Sequence, residues 1–392
     1  MTPHAAGQLT FGAAIRHEWS LDADWLTVNH GSFGATPRTV LAAQDEWRRR
    51  MEAQPSHFMR QVLPDALRAA AARLGAFIGA DGQDIAFLEN ATVGCNALLR
   101  SLRLQPGDEI VMLDQVYGAV RNTIRHVTAA AGAGIIEAAI PFPHPTEEGV
   151  LAGLAAAIGP RTRLAVLDHI TSGSALVLPI EAMVALCHQA GVPVLVDGAH
   201  APGQVALDMR RLGADWYVGN CHKWLMAPKG SAFIWAAPDR QGDLHPVTIS
   251  HGYGSGFLAE FDWTGTRDPS AFLAVGAAIE FHERLGGAGL RARNAALAAE
   301  ASNLVAQRLN TSAAAEAPFL GAMGLVRLPV DGPATLQDAL AMRSRLLDEK
   351  TDVPVFAQSG ALWLRLSAQA YNEADDYRRL GEIVAGVLRE PG

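Results

Sequence analysis

Between residues 85 and 237 the chain alternates short apolar runs with amphipathic stretches. The apolar runs are IAFLE (85–89), EIVMLD (109–114), IIEAAI (135–140), RLAVLDHI (163–170), PVLVDGAH (193–200), DWYVGN (215–220) and SAFIWAA (231–237). Their length fits strands, and their continuous hydrophobicity fits burial on both faces. Helical patterns open between them near Thr92 and Tyr117, around Glu148–Ile158 and around Ile180–Ala190. This alternation predicts an α/β fold whose large domain carries a mostly parallel, seven-stranded sheet. After about Asp268 the texture changes. SAFLAVGAAIEFHERLGG begins a long helical stretch, then come MGLVRLPV (323–330), a helix over 335–349, ALWLRLS (361–367) and a terminal helix. We expect an N-terminal segment (1–28) packing with the small domain, a large domain (29–267) and a smaller α+β C-terminal domain (268–392).

Composition narrows the function classes. In 392 residues, 32 Lys and Arg stand against 40 Asp and Glu, and no basic run appears, so nucleic-acid binding has no electrostatic support. No stretch of 18 apolar residues exists to span a membrane, and MTPHAAGQLTFG lacks the form of a leader. Cys95, Cys187 and Cys221 are far apart and form no CxxC pair, which suits a reducing compartment. The expectation is a cytoplasmic protein with a small-molecule substrate.

In parallel sheets, ligands gather at the carboxyl ends of strands. Asp197 closes VPVLV, and His200 lies three residues on. Lys223, in GNCHKWLMAPKG, follows DWYVGN, and its neighbours Trp224, Leu225 and Met226 read as buried. Either its stem covers an apolar patch, or its amine is kept desolvated as a nucleophile. Thr92 begins a helix after the first strand, as a cap or as part of a phosphate cradle. Tyr117 follows EIVMLD, where an aromatic can stack on a flat ring. Pyridoxal 5′-phosphate needs this whole set: a lysine for its aldehyde, an acid for its ring nitrogen, an anion cradle and a stacking partner.

VLVDGAHAPG and GADWYVGNCHKWLMAPKG resemble the class V aminotransferase family of fold type I enzymes, and VNHGSFGATP, DHITS and EFDWTGTRDPSA resemble its isopenicillin N epimerase branch. The likeness runs from about Asn29 to Asn372. It implies a pyridoxal-phosphate enzyme, a homodimer with active sites at the subunit interface, in which Lys223 holds the cofactor and Asp197 pairs with the pyridinium nitrogen. His200 faces the phenolic oxygen, Tyr117 stacks on the ring, and Ala91 and Thr92 form the phosphate loop with Asn220 and His222 beside it. Thr266 reaches the neighbouring subunit's phosphate, and Arg365 grips the substrate carboxylate. An arginine inside an apolar strand needs an anion, so Arg365 serves the substrate or a structural salt bridge. Asn29 and His30 line the substrate pocket or form a simple turn, and His57 and Phe58 share that ambiguity. Tyr253 sits in a glycine-rich loop over the site or merely on the surface. His169 is a ring contact or a packed core histidine, and Lys229 reads as an ordinary loop lysine.

The resemblance makes Lys223 the base for a substrate Cα proton. Epimerisation is the first expectation, with C–S elimination or transamination as alternatives. A cysteine desulfurase is less expected, because TDVPVFAQSGALWLRLS lacks the nucleophilic cysteine those enzymes carry before the arginine. A non-catalytic regulator is expected least.

Overall fold

The computed structural model describes residues 10–330 and 332–389. The first nine residues of the N-terminal segment, with most of the stretch read for a leader, lie outside the described residues. The seven apolar runs form one sheet. Its order is Ile85–Leu88, Ala232–Ala236, Trp216–Asn220, Val194–Asp197, Thr162–Asp168, Glu109–Leu113 and Gly134–Ala138. Neighbours are parallel from Trp216–Asn220 through to Gly134–Ala138, while Ala232–Ala236 runs antiparallel to both of its partners.

The pleat explains why these strands are apolar throughout. Val111, Leu113, Ala165, Leu167, Val194 and Val196 enter one core cluster, and Ile110, Met112, Leu164, Val166 and Leu195 enter the cluster on the opposite face. Helices cover both sides, so no face is left for polar residues. The crossover helices bring every parallel strand back in the same direction. The polar residues that end those strands therefore converge along one edge.

A second sheet is antiparallel, with Val355–Gln358, Ala361–Ser367 and Met323–Arg327 in that order. It shares a separate core with the helices Ala288–Leu309, Leu336–Asp348 and Ala374–Arg389. Leu26–Thr27 pairs in parallel with Thr351–Asp352, and Leu26 and Val28 join the same core. The expected long helical stretch after Asp268 is broken at Gly286 and Gly287, which both take positive φ. Elements with no counterpart in the hydrophobic pattern include the helices Arg38–Ala53 and Leu63–Ile78, and the strand Val355–Gln358 after Pro354. Among the described residues, no helix is long and apolar enough to cross a membrane.

One close approach sets the position of the Lys223 segment. The short helix His30–Phe33 ends at Gly34, at φ 70°. A Cβ on Gly34 would lie 1.9 Å from the carbonyl oxygen of His222, so the chain preceding Lys223 rests directly on this glycine. Gly34→Ala meets both the backbone strain and the clash. The expected cost is on the order of 3 kcal/mol, read as a lower thermal midpoint than that of the wild-type chain.

Candidate active site

A cavity of about 610 Å³ opens at the carboxyl ends of the central strands. Lys223, Asp197, His200, Ala91, Thr92, Tyr117, Asn220 and His222 all line it, as the strand-end argument requires. Ser32, Asp168 and Ser172 line it as well.

Lys223 is set on a tight turn. Cys221 and His222 donate their backbone N–H groups to the Ser231 carbonyl, and Met226 closes the turn by donating to the Lys223 carbonyl at 3.0 Å. Trp224, Leu225 and Met226 are buried, which draws the lysine stem inward. Its Nζ lies 3.0 Å from Nε2 of His200. Behind it, the Trp224 indole N–H donates to His200 Nδ1 at 3.4 Å. An indole nitrogen only donates, so a neutral His200 carries its own proton on Nε2 and presents it to the amine. Burial, then the charges of Lys223, Arg365 and His222, hold the His200 pKa well below its usual value, so the ring is neutral. Burial also pulls Lys223 down to about 8, with Arg365 adding to the effect and Asp197 opposing it. In the unloaded chain the neutral amine, the form that accepts from His200, takes over above that pH.

Asp197 is buried, and its Oδ1 accepts the Ala199 N–H at 3.0 Å. Burial raises its pKa, while the Ala199 hydrogen bond and Lys223 oppose that rise. Asp168 is its register partner on the neighbouring strand, a residue missed from the sequence in favour of His169. The signal was available: Asp168 closes an apolar strand just as Asp197 does. His169 instead packs away from the cavity, with Nδ1 2.9 Å from the Tyr217 hydroxyl.

At the helix N-terminus that lines the cavity, Asn90 caps the helix Ala91–Ser101 by accepting from Val93, and Asn220 accepts the Ala91 N–H at 2.9 Å. Asn220 thus ties the helix N-terminus to the strand preceding Lys223. His222 is anchored by Nδ1 to the Ser231 carbonyl, and burial pulls its pKa down to about 4.

Arg365 reaches the same region from the small sheet. It is 2 % exposed, and it donates to the Ser172 carbonyl, to Ser32 Oγ at 2.9 Å and to Asn29 Oδ1 at 3.4 Å. These partners are neutral, and Nε is buried without a partner. The salt-bridge alternative therefore does not describe this arginine. Asp352 holds the Asn29 Nδ2 at 3.0 Å, which turns the amide oxygen toward the guanidinium.

Other expected residues stand elsewhere. His30 does not line the cavity: Nδ1 meets the Tyr371 hydroxyl and Nε2 the Lys223 carbonyl, and burial lowers its pKa to about 3. It supports the lysine turn from behind. Tyr253 is 62 % exposed and packs beside His245, away from the cavity. Thr266 lines a separate cleft beside Trp263 and Arg267, where the resemblance has it reaching into a second copy. His57 is exposed, and Phe58 is buried against Trp47.

The model of the family described as aminotransferase class-V matches residues 34–339. The chain belongs to the class V aminotransferases. An isopenicillin N epimerase from Amycolatopsis lactamdurans is 34% identical over 396 residues, covering 96% of this chain and 98% of that protein. An L-cysteine desulfhydrase from Arabidopsis thaliana is 31% identical over 398 residues, covering 93% and 88%. Among solved structures, C-DES with glycine covalently linked to its PLP cofactor superposes with TM-score 0.80 at 23% identity, covering 94% and 98%. The cysteine desulfurase CsdA from Escherichia coli superposes with TM-score 0.77 at 20% identity, covering 96% and 98%. These likenesses bear out the fold type I architecture, and the class V family makes the chain a pyridoxal-phosphate-dependent enzyme.

The cavity fits that cofactor. A desolvated amine, a buried carboxylate at an adjacent strand end and a helix N-terminus share one space with an aromatic side chain. The unpartnered Asp168 Oδ2 marks polar capacity that the protein alone does not satisfy. Only a neutral amine attacks an aldehyde, so uptake of pyridoxal phosphate by the cofactor-free chain should rise with pH and level off above about 8. Stopped-flow absorbance across pH checks this, and a midpoint near that of an ordinary lysine would remove the desolvation argument.

Proposed function

We propose that this class V enzyme cleaves the C–S bond of an L-cysteine-type substrate by β-elimination. The observation that carries the reading is the cavity's inventory: one amine, Lys223, and no cysteine. Elimination needs one base at Cα and a proton for the departing sulfur. Desulfuration by the usual route needs a thiol. Here Cys95, Cys187 and Cys221 are all buried, and burial raises each thiol's pKa.

When bound, pyridoxal 5′-phosphate supplies an aldehyde for an amine and a ring that accepts the electrons of a broken Cα–H bond. Lys223 would anchor it at rest and then take the Cα proton. Asp197 would supply a negative charge for the ring nitrogen, and His200 would offer its Nε2–H, which Lys223 Nζ accepts in this structure. Arg365 offers its planar fork to the substrate carboxylate, pre-aimed by Ser32 and Asn29. Thr92 and the helix behind it support the phosphate.

Epimerisation is the second reading. It is favoured by the Tyr117 side chain, which brings a phenol to the same cavity as an additional proton carrier. The L-cysteine desulfhydrases and isopenicillin N epimerases among the relatives support one reading each.

Incubation of the holoenzyme with L-cysteine in D2O separates them by mass spectrometry. Elimination gives sulfide, pyruvate and ammonia in equal amounts. An intact, inverted skeleton carrying one deuterium selects epimerisation and overturns the first reading. Arg365→Ala should cost about 2–5 kcal/mol in carboxylate recognition, at least ~30-fold in kcat/KM. Steady-state kinetics with Arg365→Lys as the folding control reads this, and unchanged kcat/KM removes Arg365 from the site.

A further inference from the structure

Asp168 ends the strand beside that of Asp197, and the two are register partners on parallel neighbours. Adjacent strands lie about 5 Å apart, and register partners point to the same face. Both residues line the cavity floor. Asp168 is 2 % exposed, and its Oδ2 is fully buried with no hydrogen-bond partner. The charged and polar groups around it do not supply a cation of its own. From the helix Gly118–Ala131, Arg121 acts on it only at a distance, since its guanidinium is paired with Glu137. The Tyr117 N–H faces it from the start of that helix, and Cys95 lies toward it from the helix Ala91–Ser101. Lys223 acts on Asp197.

Two carboxylates in this position would place two negative charges in a desolvated floor. Like charges so close resolve the conflict by retaining a proton. Asp197 has the better claim to the charge: it accepts the Ala199 N–H and has Lys223 on its side whenever that amine is protonated, whereas Asp168 Oδ2 has no partner at all. We propose that Asp168 and Asp197 form a carboxyl dyad holding one proton, with Asp168 the acid and Asp197 the anion.

The floor then carries one negative charge and one O–H donor. A donor beside Asp197 lowers that carboxylate's proton affinity, so a proton on a facing ring nitrogen stays on the ring. Asp168 is thus a positioning residue for charge. Burial and the Asp197 charge both push its pKa upward, in the sense the geometry demands. The purpose of the dyad rests on the pyridoxal phosphate reading; its existence does not.

Infrared difference spectroscopy tests the dyad, comparing wild-type, Asp168→Asn and Asp197→Asn proteins at pH 7, loaded with pyridoxal phosphate and cofactor-free. The wild-type protein should show the carbonyl stretch of a buried protonated carboxylic acid. That band should be lost in Asp168→Asn and kept in Asp197→Asn. A wild-type protein without it, or a band that follows Asp197 instead, overturns the proposal. Circular dichroism checks folding of the variants. Where Asp168→Asn does not fold, the wild-type band's pH titration decides: persistence above pH 7 supports the acid, and loss below pH 5 overturns it. A chain that shows the band but takes up no pyridoxal phosphate removes the cofactor reading and leaves the dyad standing.

Discussion

Burying the amine of Lys223 is the constraint around which the rest of the structure is arranged. A lysine head group out of water is costly in its charged form, and burial brings the neutral form within reach by lowering the pKa to about 8. Trp224 fixes the His200 ring so that an N–H faces the amine. An ammonium there would oppose that N–H, so protonating Lys223 also disturbs the bond from Trp224. The carbonyl side of the same turn is held by His30, whose other nitrogen is held by Tyr371. Gly34 allows the two segments to come this close. A turn that reads in sequence as a lysine beside buried neighbours is thus a set of donors and acceptors built around the amine.

The cavity is completed from two sheets, and the N-terminal strand explains how they are kept in register. Arg365 comes from the small antiparallel sheet, and Lys223 from the end of a large-sheet strand. Leu26–Thr27 pairs with Thr351–Asp352, and the next residues carry Asn29 and Ser32 to the Arg365 guanidinium. Asp352 fixes which end of the Asn29 amide meets the arginine. A direct carboxylate on Arg365 would have neutralised it; a carboxylate one amide away orients it and leaves its charge available to a ligand.

The large sheet was legible because its strands are buried on both faces, which leaves continuous apolar runs that nothing else in the chain imitates. The residues at their carboxyl ends were legible for the same reason: a lone Asp, Lys or His after such a run has little structural excuse. Where the background is less uniform, legibility fails. Val355–Gln358 follows a proline and packs at intermediate burial, so its pattern is that of a loop. His30 sits in a polar stretch where a pocket residue and a buttress share the same residue types, and only its ring partners separate them. Asp168 was hidden by its own neighbour. His169 is the more conspicuous residue of the pair, but strand alternation sends it to the face opposite Asp168.

Charge balance links these pieces to chemistry at Cα. Arg365 is a buried cation with neutral partners, Asp197 a buried anion, and Lys223 an amine poised to be neutral. With Lys223 neutral the charges of these three residues cancel, yet they stand apart, the positive one on the small sheet and the negative one at the end of a large-sheet strand. On the proposed function, a zwitterionic amino acid would bring an anion to the first and a protonated ring a cation to the second. Each charge would then meet its opposite away from bulk solvent, where such pairs discriminate strongly by position. On the function proposed above, the amine, once neutral, would be the base for the Cα proton. Were Asp168 also ionised, the floor would hold a second, uncompensated charge and would draw a cation away from Cα. Holding that residue as an acid keeps the base, and the proton it removes, at the carbon.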